Sequence, residues 1–261
     1  MRRERAPLLI AVLAALGAAF FIAPLVGLIV RTPWGSAVQS LLAPDTLQAL
    51  RLSLEASLSA TAIALFLGVP LAWVYARIDF PGRSVLRALT TLPMVLPPVV
   101  GGIALLLAFG RRGLLGAWLD NSFGITLPFT TAGVVMAETF VAMPFLVLTV
   151  EAGLRSMDRR YEEAARALGA HRWTVFTRVT LPLVAPSLVA GSILCWARAL
   201  GEFGATITFA GNFPGVTQTM PLAVYLLLET NPESSFVLSL VLLSVSLLVL
   251  IGLRDRWLGT A

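Results

Sequence analysis

Apolar residues run in long, nearly unbroken stretches along this chain, and polar residues fall mainly between them. Roughly 20 mostly apolar residues carry a helix across the hydrocarbon layer of a membrane. Six stretches meet that length: Pro7–Val30, Leu52–Ala76, Ala88–Gly110, Ile125–Val150, Leu181–Ala210 and Ser234–Leu253. None alternates with the period of a strand, so the pattern predicts spanning helices and not a β-barrel. Pro24, Pro70 and Pro144 lie inside the stretches. Such prolines are tolerated where neighbouring helices satisfy the freed backbone groups. The expected fold is an all-α polytopic membrane protein with six transmembrane helices. Residues 1–47 hold the first helix and its flanks, 48–253 the main membrane domain, and 254–261 a tail. The segments between the spans are too short to bury a core of their own.

Composition narrows the chemistry. Of 261 residues, 57% are hydrophobic and 13% charged, and the mean hydropathy is +0.87. That excludes a water-soluble enzyme or a disordered chain. All 19 basic residues are arginine. The lack of lysine removes Schiff-base chemistry and the phosphate-binding P-loop. His171 and Cys195 are the only residues of their kinds, so no intrachain disulfide, cysteine metal cluster or HExxH zinc site is available. With the N-terminus inside, the inner segments carry 14 arginines and the outer ones 4, namely Arg31, Arg51, Arg111 and Arg112. This bias places both termini in the cytoplasm. Pro7–Val30 is too long for a typical signal-peptide core and reads as a retained helix.

The inner segment Glu151–Thr180 holds the most specific pattern. Tyr161, Ala164, Ala165 and Leu168 recur at i, i+3, i+4 and i+7, an apolar stripe on a short helix. Arg159, Arg160, Glu162, Glu163 and Arg166 cover the remaining face. Ser156 is placed to cap the start, Asp158 suits the positive end of the dipole, and Gly169 suits a left-handed stop. The stripe is narrow and mostly alanine, which favours close approach of another protein over burial in lipid. Glu163-Ala164-Ala165, Gly169 after three residues, and Val179-Thr180-Leu181-Pro182 after nine more resemble the "EAA" loop of membrane subunits of bacterial ABC importers. The resemblance implies a type I ABC importer transmembrane fold. Its loop, here 151–182, would carry a coupling helix that docks on a separate ATPase. Glu163 would touch that ATPase, and Gly169 would permit the turn. ATP and magnesium would belong to the partner, with no cofactor on this chain.

Two further stretches resemble particular members. Leu92-Pro93-Met94-Val95-Leu96-Pro97-Pro98 with Phe109-Gly110-Arg111-Arg112-Gly113 looks like the branch that moves molybdate and sulfate. The run from Ala199 through Gly201-Glu202-Phe203-Gly204-Ala205-Thr206 to Asn212, then Pro214-Gly215 and Thr217 to Ala223, is similar to molybdate permease subunits. That resemblance implies a homodimer in the inner membrane, two ATPases and an external solute-binding protein, working by alternating access. Molybdate, with tungstate as a near twin, is the implied cargo; sulfate or thiosulfate, or another solute, is the alternative.

Arg198, Glu202, Thr206 and Thr208 are the candidate path or gate residues, because charge at membrane depth usually faces a bundle interior or a watery cavity. Arg198 and Glu202 are spaced i, i+4 and can pair. The pair is either a lock between helices or part of the path. Gly201 and Gly204 allow close packing. Thr206 and Thr208 can offer hydroxyls to an oxyanion or bond their own helix. Glu138 is expected inside the bundle, either hydrogen-bonded or protonated, and Glu55 near the outer interface. His171 reads as a loop residue facing the ATPase or water, and Cys195 as a small packing residue. An enzyme lacks a nucleophile–base pair, and a passive channel lacks filter-like loops.

Overall fold

The computed structural model describes residues 7–257. Arg2, Arg3 and Arg5, and the end of the tail at 258–261, lie outside them. Among the described residues every regular element is helical. In chain order they are α1 (Leu8–Arg31), α2 (Ala37–Leu42), α3 (Pro44–Arg77), α4 (Arg83–Thr91), a 3-10 turn at Leu92–Met94, α5 (Pro98–Phe109), α6 (Gly116–Phe123) and α7 (Thr131–Ser156). Then follow α8 (Arg160–Ala167), α9 (Arg172–Val175), a π-helical turn at Phe176–Thr180, α10 (Leu181–Leu183) and α11 (Ala185–Leu200). The last are α12 (Gly204–Phe209), α13 (Met220–Thr230) and α14 (Pro232–Trp257).

The core forms where α3, α7 and α11 meet. Ala56, Ala60, Ala64, Gly68 and Ala72 lie four residues apart on α3, and all are buried. That row of small side chains brings the backbone of α3 close to α7, the usual way membrane helices pack. A Cβ on Gly68 would sit 3.0 Å from Leu146 and 3.1 Å from Val147. A Cβ on Gly191 of α11 would likewise lie 3.2 Å from Thr149 of α7. Leu146, Val147, Val150 and Leu154 of α7 fill the space with Tyr75 and Cys195. Cys195 is thus a packing residue. By contrast α1 buries no side chain, which suits a helix surrounded by lipid.

Three helices, α1, α3 and α7, are long and apolar enough to cross a membrane unaided. The third and fifth apolar stretches are not straight spans. The third bends by 118° between Arg83–Met94 and Pro98–Phe109, and the fifth by 72° between Arg172–Leu183 and Ala185–Leu200. Counting each bent pair as one span gives up to five, and α14 carries the sixth apolar stretch. Proline explains both bends: Pro93, Pro97 and Pro98 at the first, Pro182 and Pro186 at the second, each removing a backbone donor. The fifth stretch breaks again at Gly201–Phe203 before α12. The outer segment 211–233, expected as a loop, contains α13, and helix α14 continues into the expected tail as far as Trp257.

Candidate functional site

The first site forms where α8 meets the end of α3. Asp158 starts α8 by accepting the backbone N–H of Arg160 at 2.9 Å. Ser156 does not cap it: Ser156 closes α7 and donates to the Gly153 carbonyl at 3.0 Å. Gly169 ends the turn with φ +85°, a left-handed conformation that disfavours side chains. Tyr161 and Leu168 point away from the chain, 58% and 89% exposed, and Glu163 and Ala164 are exposed beside them. The apolar stripe, apart from half-buried Ala165, is therefore uncovered within the subunit.

Glu162 adds to the sequence reading, which put it on the charged face beside the stripe. Its side chain is only 4% exposed and lies 3.2 Å from Arg77, itself 7% exposed. Thr180 donates to the same carboxylate at 2.7 Å. One residue thus ties α8 to the end of α3 and to the π-helical turn that leads into α10 and α11. Arg159 and Arg155 reinforce the junction by donating to the Ala76 and Tyr75 carbonyls at 3.1 and 3.2 Å. Cations are favourable at the negative end of a helix such as α3. Buried Glu151 pairs with Arg87 at 3.0 Å and Arg155 at 2.8 Å, which adds α4 to the same network. His171 is exposed and caps α9, its Nδ1 accepting from Trp173 at 3.3 Å.

The second site surrounds the break after α11. Arg198 and Glu202 pair at 2.5 Å, with side chains 28% and 1% exposed. The pair spans the break instead of lying on one continuous helix. Glu202 also accepts the Ala205 backbone N–H at 2.8 Å, so it caps α12 while balancing Arg198. Gly204 approaches α5 closely, its absent Cβ lying 2.7 Å from Pro98. Gly201, exposed, makes no such approach within the chain. Thr208 donates to the Gly204 carbonyl at 2.8 Å and lies against Gly102, so its hydroxyl is spent on its own helix. The Thr206 hydroxyl is buried and has no partner among the described residues. Neither does one carboxylate oxygen of buried Glu138. Asn212, Gln218 and Thr219, on the segment after α12, also hold buried unpartnered polar atoms. Glu55 is exposed and pairs with Arg51 at 2.6 Å.

This arrangement is that of a transporter membrane subunit: an apolar bundle with a polar break inside and an uncovered helix at one end. The chain belongs to the family of inner membrane components of binding-protein-dependent transport systems, whose model matches residues 64–259. It is 48% identical to the molybdenum transport system permease protein ModB of Mycobacterium tuberculosis, over 93% of this chain and 92% of that protein. The sulfate transport system permease protein CysT of Escherichia coli is 37% identical, over 85% of this chain and 80% of CysT. Among solved structures, a chain of a bacterial alginate ABC transporter, in complex with an alginate-bound periplasmic protein, superposes with a TM-score of 0.75. The two share 17% identity over 97% of this chain and 96% of that one, so this match speaks to the fold.

Proposed function

We propose that this chain is the permease subunit of an importer that carries molybdate, and tungstate with it, into the cytoplasm. The observation that carries the cargo assignment is the 48% identity, over 93% of the chain, with a molybdenum permease, against 37% with a sulfate permease. Two copies form the path, six spans cross in each, and both termini lie inside. Two ATPase subunits dock on α8 through the uncovered Tyr161, Ala164 and Leu168 and the half-buried Ala165, with Glu163 and Gly169 at the contact. An external binding protein delivers the anion and selects it.

The geometry supports alternating access driven through Glu162. When the ATPases close on ATP they shift α8. The buried ties to Arg77 and Thr180 pass that shift to α3 and, through the π-helical turn, to α11. At the far end of α11, Arg198 neutralises Glu202, so a dianion does not meet a bare carboxylate. Thr206 offers a free hydroxyl without a fixed positive site. A weak path suits an importer, because a tight site would retain the anion when it must leave.

The test is uptake by the complete complex, permease with its ATPase and binding protein, in vesicles. Labelled molybdate should enter on ATP addition, unlabelled tungstate should compete, and excess sulfate should not. Uptake of labelled sulfate that molybdate fails to suppress would overturn the cargo assignment.

A further inference from the structure

A cavity of about 370 Å³ opens between the end of α3, α8 and the π-helical turn. Arg77, Arg159, Arg166 and Arg172 line it, opposed by Glu162 and Glu163. Glu162 is already shared between Arg77 and, at 3.9 Å, Arg166. Arg172 pairs with no carboxylate among the described residues. The wall is therefore short of negative charge. Its other side is apolar, formed by Trp73, Ile78 and Phe176, with the Trp73 and Phe176 rings edge to face at 6.1 Å. Trp173 is two-thirds exposed and stacks on Phe176 with ring centres 5.7 Å apart. Tryptophan beside arginine at the end of a spanning helix is the arrangement expected at headgroup level.

We propose that this cavity binds the phosphate of an anionic phospholipid in the cytoplasmic leaflet. Guanidinium groups take phosphate oxygens through paired, charge-assisted hydrogen bonds. The aromatic wall accepts the glycerol and the upper acyl chains. The volume falls in the range of ordinary ligand pockets. The π-helical turn forms one wall, and such turns are frequent at functional sites because they spread the helix backbone. Tyr161 and Leu168 face away from the chain, so a lipid here leaves the stripe free. The inferred role is to brace the junction through which α8 moves α3. The leaflet, though not the pocket, rests on the topology proposed above.

The complete complex would be reconstituted in nanodiscs of phosphatidylglycerol or of phosphatidylcholine, extracted gently, and weighed by native mass spectrometry. The wild type should retain phosphatidylglycerol, one per permease copy, and phosphatidylcholine should not replace it. Arg172→Gln alters an exposed side chain and should still assemble, as checked by the mass of the complex. It should retain phosphatidylglycerol about tenfold less, as expected for one lost charge-assisted contact. Arg111→Gln, on the opposite side, should retain it fully. Equal retention by Arg172→Gln, or equal retention of phosphatidylcholine, would overturn the site. Displacement of the lipid by millimolar inorganic phosphate would overturn the lipid as occupant and make it a free-anion site. A reporter after Ala261 reads the leaflet separately, so wrong orientation and lack of binding are distinguishable.

Discussion

Glu162→Ala is the most informative single change. The side chains of Glu162 and Arg77 are 4% and 7% exposed, so the alanine variant leaves a guanidinium buried without its partner. Removing one member of a buried ion pair costs roughly 3–5 kcal/mol. The lost Thr180 hydrogen bond adds about 1 kcal/mol. At roughly 2–4 °C per kcal/mol for a chain of this size, the summed loss of roughly 4–6 kcal/mol lowers the melting temperature by roughly 8–24 °C. The assay is thermal unfolding of the purified permease in detergent, beside ATP-driven uptake by the assembled complex.

A companion variant separates stability from coupling. Replacing both residues by apolar ones, Arg77→Met with Glu162→Leu, removes the stranded charge. Such exchanges are often neutral or stabilising, so the melting temperature should return to within a few degrees of wild type. Uptake should stay low, because the rigid tie from α8 to α3 and Thr180 is gone. An alanine variant that melts within 2 °C of wild type, about 1 kcal/mol or less, would refute the burial argument. A double variant that transports at the wild-type rate would refute the coupling argument and leave the pair a structural feature.

Two other changes probe the bundle. Arg198→Ala and Glu202→Ala should each lower folded yield, since a lone charge at membrane depth costs roughly 2.5–3.5 kcal/mol on insertion scales. The double variant should regain only part of the loss, because the Ala205 cap is still missing; strictly additive losses would rule out the pairing. Gly68→Val forces methyl groups toward Leu146 and Val147, which a Cβ alone would approach to 3.0 and 3.1 Å. A destabilisation of about 1–3 kcal/mol is expected from such overpacking, read as lower yield and melting temperature, and an unchanged melt would show that α3 and α7 can separate at that level.

Much of this architecture was legible because membrane helices announce themselves in composition. All six apolar stretches are mainly helical, although the third and fifth bend or break and the fourth begins with a non-helical segment, and the short helix α8 lies where the stripe predicts one. The row from Ala56 to Ala72 was equally visible as small residues at a spacing of four, although only the glycines of the fifth stretch were singled out for packing. Glu162 was not legible. Its partner Arg77 lies 85 residues earlier, and a helical wheel reports which face is charged without saying what meets it. The prolines at the two bends were plain, but their consequence depends on surroundings. Pro24 and Pro144 stay inside single helices, whereas Pro97-Pro98 and Pro186 fall at sharp turns. A spanning helix absorbs one missing hydrogen bond; paired or closely spaced prolines remove more than the neighbours replace.

The fifth stretch shows why local spacing alone could not separate lock from path. An i, i+4 pair on a continuous helix needs nothing beyond its own geometry. Here the chain breaks at Gly201–Phe203, and the same carboxylate that balances Arg198 also caps the short helix beyond the break. Holding a break open at membrane depth requires that the freed donors be met, and Glu202 meets one of them. That fixes α12 against α5, where Gly204 and Gly102 remove the side chains that would keep the two apart. Thr206 is carried into a buried position with its hydroxyl unspent. A buried hydroxyl without a partner is costly in a dry bundle. It is affordable where water or a passing anion supplies the missing bond. In the transport path proposed above, lock and path would be one structure: Glu202 holds the break, and the break places the unpartnered Thr206 hydroxyl beside it.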